Sequence, residues 1–329
     1  MRKGIRSKTL LLFVIPLGLL IVTGICPKAS GASEWPTRSI TLIVPYNPGG
    51  GFDLVSRATA PFIEKHLPKR VPVMVKNVPG AGTRIGTREL VKAKPDGLTI
   101  AIFEPVGLCL MERIGQLEWL DVKKLSWLAQ IDNLADMLVI GPKTGFKTPK
   151  DMKGKTVRFQ ASDDGNIIRS TVLSRSIGCT PAFVRYGGTG EAILASLRGD
   201  LDGLNLSWSS GMVQVKATNN QMIPLLVTRK VPGLDVPSAQ EFGIEVDHIT
   251  MDHPHFLAAP PGVPDEVRRM WKEVFSKLAK DPEWFKQMDK LGFPASPLLE
   301  TDKLEAYLNA LMGRMEMYKD ILSNISLIK

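Results

Sequence analysis

The sequence predicts an α/β protein of two domains, each a mostly parallel sheet flanked by helices, with the chain crossing between them twice. Three observations predict it. Short β-rich apolar runs alternate with stretches that repeat apolar residues at helical spacing, the order that builds parallel sheets covered on both faces. The alternation comes in two series, the second beginning near Met137. A nearly all-helical tail follows the second series and must pack somewhere, so the chain is expected to return to the first domain. At 329 residues there is enough chain for two cores of ordinary size.

In order, Ser39–Tyr46 reads as a buried strand and Asp53–Leu67 as an amphipathic helix. Val71–Asn77 is a second strand, the stretch from Thr83 to Ala93 a second helix, and Leu98–Phe103 the closing strand. The second series has strands at Met137–Gly141, Thr156–Gln160, Ala182–Tyr186, Leu201–Leu206 and Met222–Val227. Its helices lie near Ile167–Ile177 and Glu191–Leu197. His255–Pro260 is strand-like, and Asp265 to Ile325 is helical with a break around Gly292–Pro297. The crossings are expected near Ile131–Gly141 and His248–Ala258. That divides the chain into a first domain of residues 33–137 and 254–329 and a second of 138–253. A cleft between them is where a ligand would sit.

The first 32 residues read as a signal peptide. Arg2, Lys3, Arg6 and Lys8 precede the uncharged run Thr9–Ile25, and Ala29–Ala32 are small. Cleavage near Ala32 would place the mature chain in the periplasm or on the extracytoplasmic side of the membrane. The run is just short of a full membrane span. Cys26 follows the bulky Ile25, which disfavours lipid anchoring there. These residues hold five bases and no acid, so without them the formal charge falls from +9 to +4. No basic block with interleaved aromatics remains to bind nucleic acid. Cys109 and Cys179, 70 positions apart, read as buried small hydrophobes, with no CxxC and no metal site expected.

Two loops carry the functional signal. Tyr46–Asp53 (YNPGGGFD) and Asn77–Gly86 (NVPGAGTRIG) each join a strand end to a helix start, where free backbone N–H groups and the helix dipole attract anions. The first lacks the Gly-Lys-Ser/Thr of a phosphate loop. The second, with Gly80, Gly82 and Gly86, is one residue too long for the dinucleotide fingerprint. A carboxylate fits better than a nucleotide, and no cofactor is called for. Gln160–Asn166 and Tyr186–Gly190 occupy matching positions in the second series.

Together these segments resemble the Bug-type (TctC-like) periplasmic substrate-binding proteins of tripartite tricarboxylate transporters. The matching stretches are WPTRSITLIVPYNPGGGFDLVSR, VKNVPGAGTRIG, KAKPDGLTI, VRYGGTGEAILASLRGDLDG, TRKVPGLDVPSAQEFGI and AAPPGVPDEVRRMWKEV. The resemblance implies a type II periplasmic-binding-protein fold. It also implies a monomeric two-domain clamp that hands a small organic acid to a membrane permease without a catalytic step. In that family the loops matching Tyr46–Asp53 and Asn77–Gly86 grip a ligand carboxylate, partly through water. The candidate ligand residues are Tyr46, Asn47, Gly49, Gly50, Asp53, Ala81, Gly82, Thr83, Arg84, Asp164, Asn166, Arg169, Tyr186, Ser207 and Trp208. Asp53 either touches ligand or caps its helix.

The chain departs from the family at Gln160–Arg169, where two acids and an arginine replace small residues and a histidine, and at Arg84. Arg84 or Arg169 is a candidate to fork onto a second carboxylate, and Asp163 and Asp164 either meet an amine or pair with Arg169. Trp208 either stacks on the ligand or packs in the core. The competing readings are a sensory module that presents its ligand to a receptor, and a metal-dependent hydrolase built on Asp252-His-Pro-His255. The last lacks HExxH and an obvious third ligand, and no Gly-x-Ser-x-Gly elbow supports an esterase.

Overall fold

A computed structural model describes residues 34–298 and 301–318. The expected signal peptide and Cys26 lie outside the described residues. The first set of elements is β1 (Ile40–Val44), α1 (Gly51–His66), β2 (Val73–Asn77), α2 (Arg84–Lys92), β3 (Thr99–Phe103), α3 (Pro105–Arg113) and β4 (Ser126–Leu134). Next come β5 (Asp136–Ile140), β6 (Thr156–Gln160), α4 (Asp164–Ile177), β7 (Thr180–Val184), α5 (Thr189–Arg198), β8 (Gly203–Ser207), α6 (Trp208–Ala217) and β9 (Ile223–Val227). The single turn α7 (His248–Met251) leads into β10 (His253–Ala259), and α8 (Asp265–Leu278), α9 (Pro282–Lys290) and α10 (Thr301–Met317) complete the order.

Two five-stranded sheets result, ordered β2-β1-β3-β10-β4 and β7-β6-β8-β5-β9. Both are built alike. Three strands run parallel, the fourth runs against them, and the outer strand runs with them again. The reversed strand is in each case the one by which the chain arrives from the other sheet. Ala135 alone separates β4 of the first sheet from β5 of the second, and the chain returns between Val227 and His253. The mostly parallel expectation therefore holds apart from β5 and β10.

Four details differ from the sequence reading. Helix α3 has no amphipathic period to detect, because every residue from Pro105 to Met111 is buried. Strand β4 was legible only at its end, since it is buried along almost its whole length and shows no alternation. Helix α6 starts directly after β8, with Ser207 as both strand end and N-cap. β7 lies two residues earlier than expected, so that 185–188 is free to turn toward the other sheet.

Packing explains why the halves stay together. One apolar core holds Ile43 and Phe103 of the first sheet, Leu138 and Phe159 of the second, and α3 and α4 between them. The two helices meet at their N-termini, where a Cβ on Gly165 would lie 2.7 Å from Glu104 Oε2 and 3.1 Å from the Gly107 nitrogen. Only glycine permits that approach.

Candidate functional site

A cavity of about 500 Å³ lies between the two sheets. The carboxyl ends of β1, β2, β6 and β8 and the loops after them form its walls, and β10 forms its floor. This is the crevice expected at the strand ends of open α/β sheets.

The first sheet contributes backbone. Gly50 ends the first loop as the N-cap of α1, without a side-chain cap for the N–H groups that follow. Thr83 does the same for α2, whose first turn carries no acid. Such uncovered N–H groups carry the positive end of the helix dipole. The second loop is held in an unusual conformation: Gly80, Ala81, Gly82 and Thr83 all have positive φ, at 123°, 49°, 60° and 76°. For Ala81 and especially the β-branched Thr83 this is strain of about 1–3 kcal/mol each. Helix α2 approaches β1 closely, since a Cβ on Gly86 would meet Pro45 Cβ at 2.8 Å and the Val78 oxygen at 2.9 Å.

Asp53 holds the two loops in register. Its Oδ2 accepts from the Gly49 N–H at 2.9 Å, and its Oδ1 accepts from Asn77 Nδ2 at 2.9 Å and Arg57 Nε at 3.0 Å. Asn77 Nδ2 also donates to the Tyr46 oxygen at 3.1 Å, and Arg57 Nη2 donates to Asn77 Oδ1 at 2.8 Å. Burial would raise the Asp53 pKa, but the bonds from Arg57, Gly49 and Asn77 outweigh it and hold the carboxyl below its ordinary value.

The second sheet contributes side chains. Asp163 caps α4, accepting from the Asn166 N–H at 2.7 Å, and Ser207 caps α6, accepting from the Ser210 N–H at 3.3 Å. Asn166 Nδ2 donates to the Asn205 oxygen at 2.9 Å, and Asn205 Nδ2 to Ser170 Oγ at 2.8 Å. Arg169 lines the cavity while almost wholly buried, with Nη1 3.2 Å from Glu104 Oε2. Glu104 is itself tied down by the Val106 and Gly107 N–H groups at 2.8 and 3.0 Å. Burial works against the Arg169 charge, but Glu104, Asp163 and Asp136 together raise its pKa.

The floor contains two histidine–aspartate pairs. His253 Nε2 lies 2.8 Å from Asp136 Oδ1, and His255 Nδ1 lies 2.6 Å from Asp132 Oδ1. Burial, with the Arg169 charge, pushes His253 well below its ordinary value, and burial pushes Asp136 up to about 8. His255 also meets the Phe52 ring edge-on at 4.4 Å, and Phe52 stacks on Tyr46 at 4.1 Å. His253 and His255, two positions apart on β10, thus each face their own acid, Asp136 of β5 and Asp132 of β4. Among the described residues no group of three or more His, Cys, Asp or Glu could hold a metal ion.

Of the residues proposed from sequence, Tyr46, Asn47, Gly49, Gly50, Ala81, Gly82, Thr83, Asn166, Arg169, Tyr186 and Ser207 line the cavity. Asp53, Arg84, Asp164 and Trp208 do not. Asp53 is turned to its loop, and Trp208 packs against the cores of both sheets. Arg84 Nη2 and Asp164 Oδ2 pair at 2.7 Å across the cleft mouth, beside a second bridge from Asn47 Nδ2 to the Gly187 oxygen. Arg169 is matched by Glu104 rather than by Asp163 or Asp164. Sequence reading missed Phe52, Asn205, Ser210, Arg185, His253 and His255 as lining residues. Position after a strand end was a usable signal for Ser210, whereas Asn205 lies within β8 itself. For the floor histidines there was none, because the pairing of β10 with β4 brings them there.

Residues 55–303 match the tripartite tricarboxylate transporter family receptor. A UPF0065 protein from the tcbD–tcbE intergenic region of Pseudomonas sp. strain P51 is 34% identical over 289 residues, 83% of each chain. Among solved structures, R. palustris Rpa4515 with adipate superposes with a TM-score of 0.76 at 18% identity, over 88% of this chain and 98% of that one. The periplasmic binding protein BugD gives 0.72 at 22% identity, over 87% and 98%. The fold is accordingly the two-domain periplasmic-binding-protein fold.

Proposed function

The chain belongs to the tripartite tricarboxylate transporter family of receptors, a family of extracytoplasmic solute-binding proteins rather than enzymes, and from that premise we propose that it captures a small carboxylate-bearing organic acid in the cleft and delivers it to a tripartite-type membrane permease. One observation carries the reading. The uncapped N-termini of α1 and α2 meet at one wall of a cavity large enough for a small organic acid. Rpa4515 was solved with a dicarboxylate, adipate, in the same fold, which supports the class of ligand.

Capture works by closure. The ligand carboxylate accepts from the loops after β1 and β2, and the rest of the molecule reaches residues after β6 and β8. Contacts with both domains exist only when the cleft is shut, so ligand shifts the population toward the closed form. Arg84–Asp164 and Asn47–Gly187 already bridge the mouth. The protein acts as a monomer, exported by cleavage near Ala32, and returns its ligand unchanged.

Thermal melting against a panel of mono-, di- and tricarboxylates, aromatic acids and acidic amino acids tests this. At least one carboxylate should raise the melting temperature and be recovered intact, because a ligand of the folded state alone stabilises it. Compaction in small-angle scattering should accompany binding. A panel with no shift, or a ligand consumed during incubation, would remove the proposal.

A further inference from the structure

We propose that Arg169 is the ligand's second anchor, a specificity-determining guanidinium that takes a second anionic group on the wall opposite the glycine loops. The inference rests on the carboxylate reading above and concerns the ligand's other end.

Arg169 is 2% exposed and lines the cavity from α4. A guanidinium carries five N–H donors and no acceptor, so a buried one needs several acceptors around it. The protein supplies too few. Glu104 Oε2 lies 3.2 Å from Nη1, yet Nε and Nη1 have no hydrogen-bond partner among the described residues. Glu104 is not free to turn and serve them. It is the N-cap of α3, and its two oxygens accept from the Val106 and Gly107 N–H groups. Asp163 is held in the same way at the start of α4, by the Asn166 N–H at 2.7 Å. Buried donors left unmade are costly, and an acceptor on the ligand removes that cost.

A second feature of the same wall points the same way. Helix α5 starts behind Gly188, an N-cap with no side chain to cover the N–H groups that follow, and Gly188, Thr189 and Gly190 line the cavity. Glu191 in its first turn takes the Gly187 N–H, at 2.8 Å, ahead of that end. Among Asp, Glu, Lys and Arg, the cavity surface carries Arg169, Arg185 and the single acid Asp163. Arg185 lies 3.8 Å from Asp164.

Asn166 Oδ1 and Asn205 Oδ1 are also buried without a partner on this wall, so a neutral amide or hydroxyl has acceptors to meet. The guanidinium separates the two readings. A carboxylate offers it two oxygens through charge-assisted bonds, roughly twice as strong as those to a neutral group, whereas an amide offers one oxygen. The favoured ligand therefore carries a negative charge at each end.

The test is calorimetry on the whole chain at neutral pH, with the diacids from succinate to suberate, their monoamides and the monoacids of equal length. The best-bound diacid should bind at least about tenfold more tightly than its own monoamide and monoacid. Arg169→Gln should shrink that ratio to about threefold or less, and Arg169→Lys, which keeps the charge and loses the planar fork, should fall between. A purely structural role would weaken all three ligands alike and leave the ratio unchanged, which would overturn the inference. A monoamide or monoacid that binds the unaltered protein as tightly as its diacid, or a wider panel in which monocarboxylates alone bind, would overturn it and leave carboxylate capture standing. If no carboxylate binds, the proposed function falls and the inference with it. Should the variants not fold, the ratio in the unaltered protein decides alone.

Discussion

The two walls of the cleft solve the same problem with different materials. The first sheet presents backbone N–H groups on strained glycine loops, with Asp53 turned away from the cavity to brace them. The second sheet presents the buried side chains Asp163, Asn166, Arg169 and Asn205, with Arg169 facing Glu104 and Asp163 capping α4. Under the proposed function the backbone wall would take the ligand's carboxylate and the side-chain wall would meet the rest of the molecule, and each wall can be altered by itself.

The largest effect is expected at the second wall. Glu104→Ala leaves the Arg169 guanidinium buried without its partner and should cost about 3–5 kcal/mol, read from denaturant unfolding. A loss under about 1 kcal/mol would mean that the pair contributes little. At the first wall, Asp53→Ala removes the carboxylate that accepts from the Gly49 N–H, Arg57 and Asn77, leaves Asn77 Nδ2 its bond to the Tyr46 oxygen, and should cost about 1–2 kcal/mol. It should also weaken every carboxylate by a similar factor, since it loosens the loops of the first wall alone. Asp53→Asn should retain much of the stability.

The floor between the walls predicts a pH dependence. Unfolded, Asp136 titrates near 3.8 and His253 near 6.5; folded, Asp136 is raised to about 8 and His253 lowered. Just below 6.5 the folded and unfolded pair each hold one proton, on Asp136 and on His253 respectively, so stability is flat there. From 6.5 to 8 only the folded pair keeps it, so this contribution is lost as pH rises, by up to about 2 kcal/mol. Melting curves should show this, and Asp136→Asn should flatten the loss above 6.5. An unchanged profile in that variant would show that the pair is not its source.

The smallest effect belongs to the mouth. Arg84→Ala removes the Arg84–Asp164 bridge, a partly exposed pair worth about 1 kcal/mol or less. It should leave the ligand ranking intact while scattering shows a slightly more open unliganded state. A changed ranking would move Arg84 from the mouth into the selective wall.

Local information carried far along this chain. Glycine and proline after β-branched runs marked the loops after β1 and β2, and amphipathic spacing marked α1 and α2, because turn chemistry and one-sided burial are written in neighbouring residues. Where burial is complete the pattern vanishes, which is why α3 escaped notice and β4 showed only its end. The roles of charged residues were the least legible. Arg84 and Asp164 are 80 positions apart, His253 and Asp136 are 117 apart, and Asp53 reaches Asn77 across 24. Nothing within a few residues of Arg169 says that Glu104 neutralises it; that follows from two helix N-termini meeting at Gly107 and Gly165. The sequence by itself determined most of the order of elements, the two glycine-rich loops and the family. Only the tertiary structure decided which charges pair with which, because a buried charge is matched by whatever the fold brings within a few ångströms, however distant in the chain.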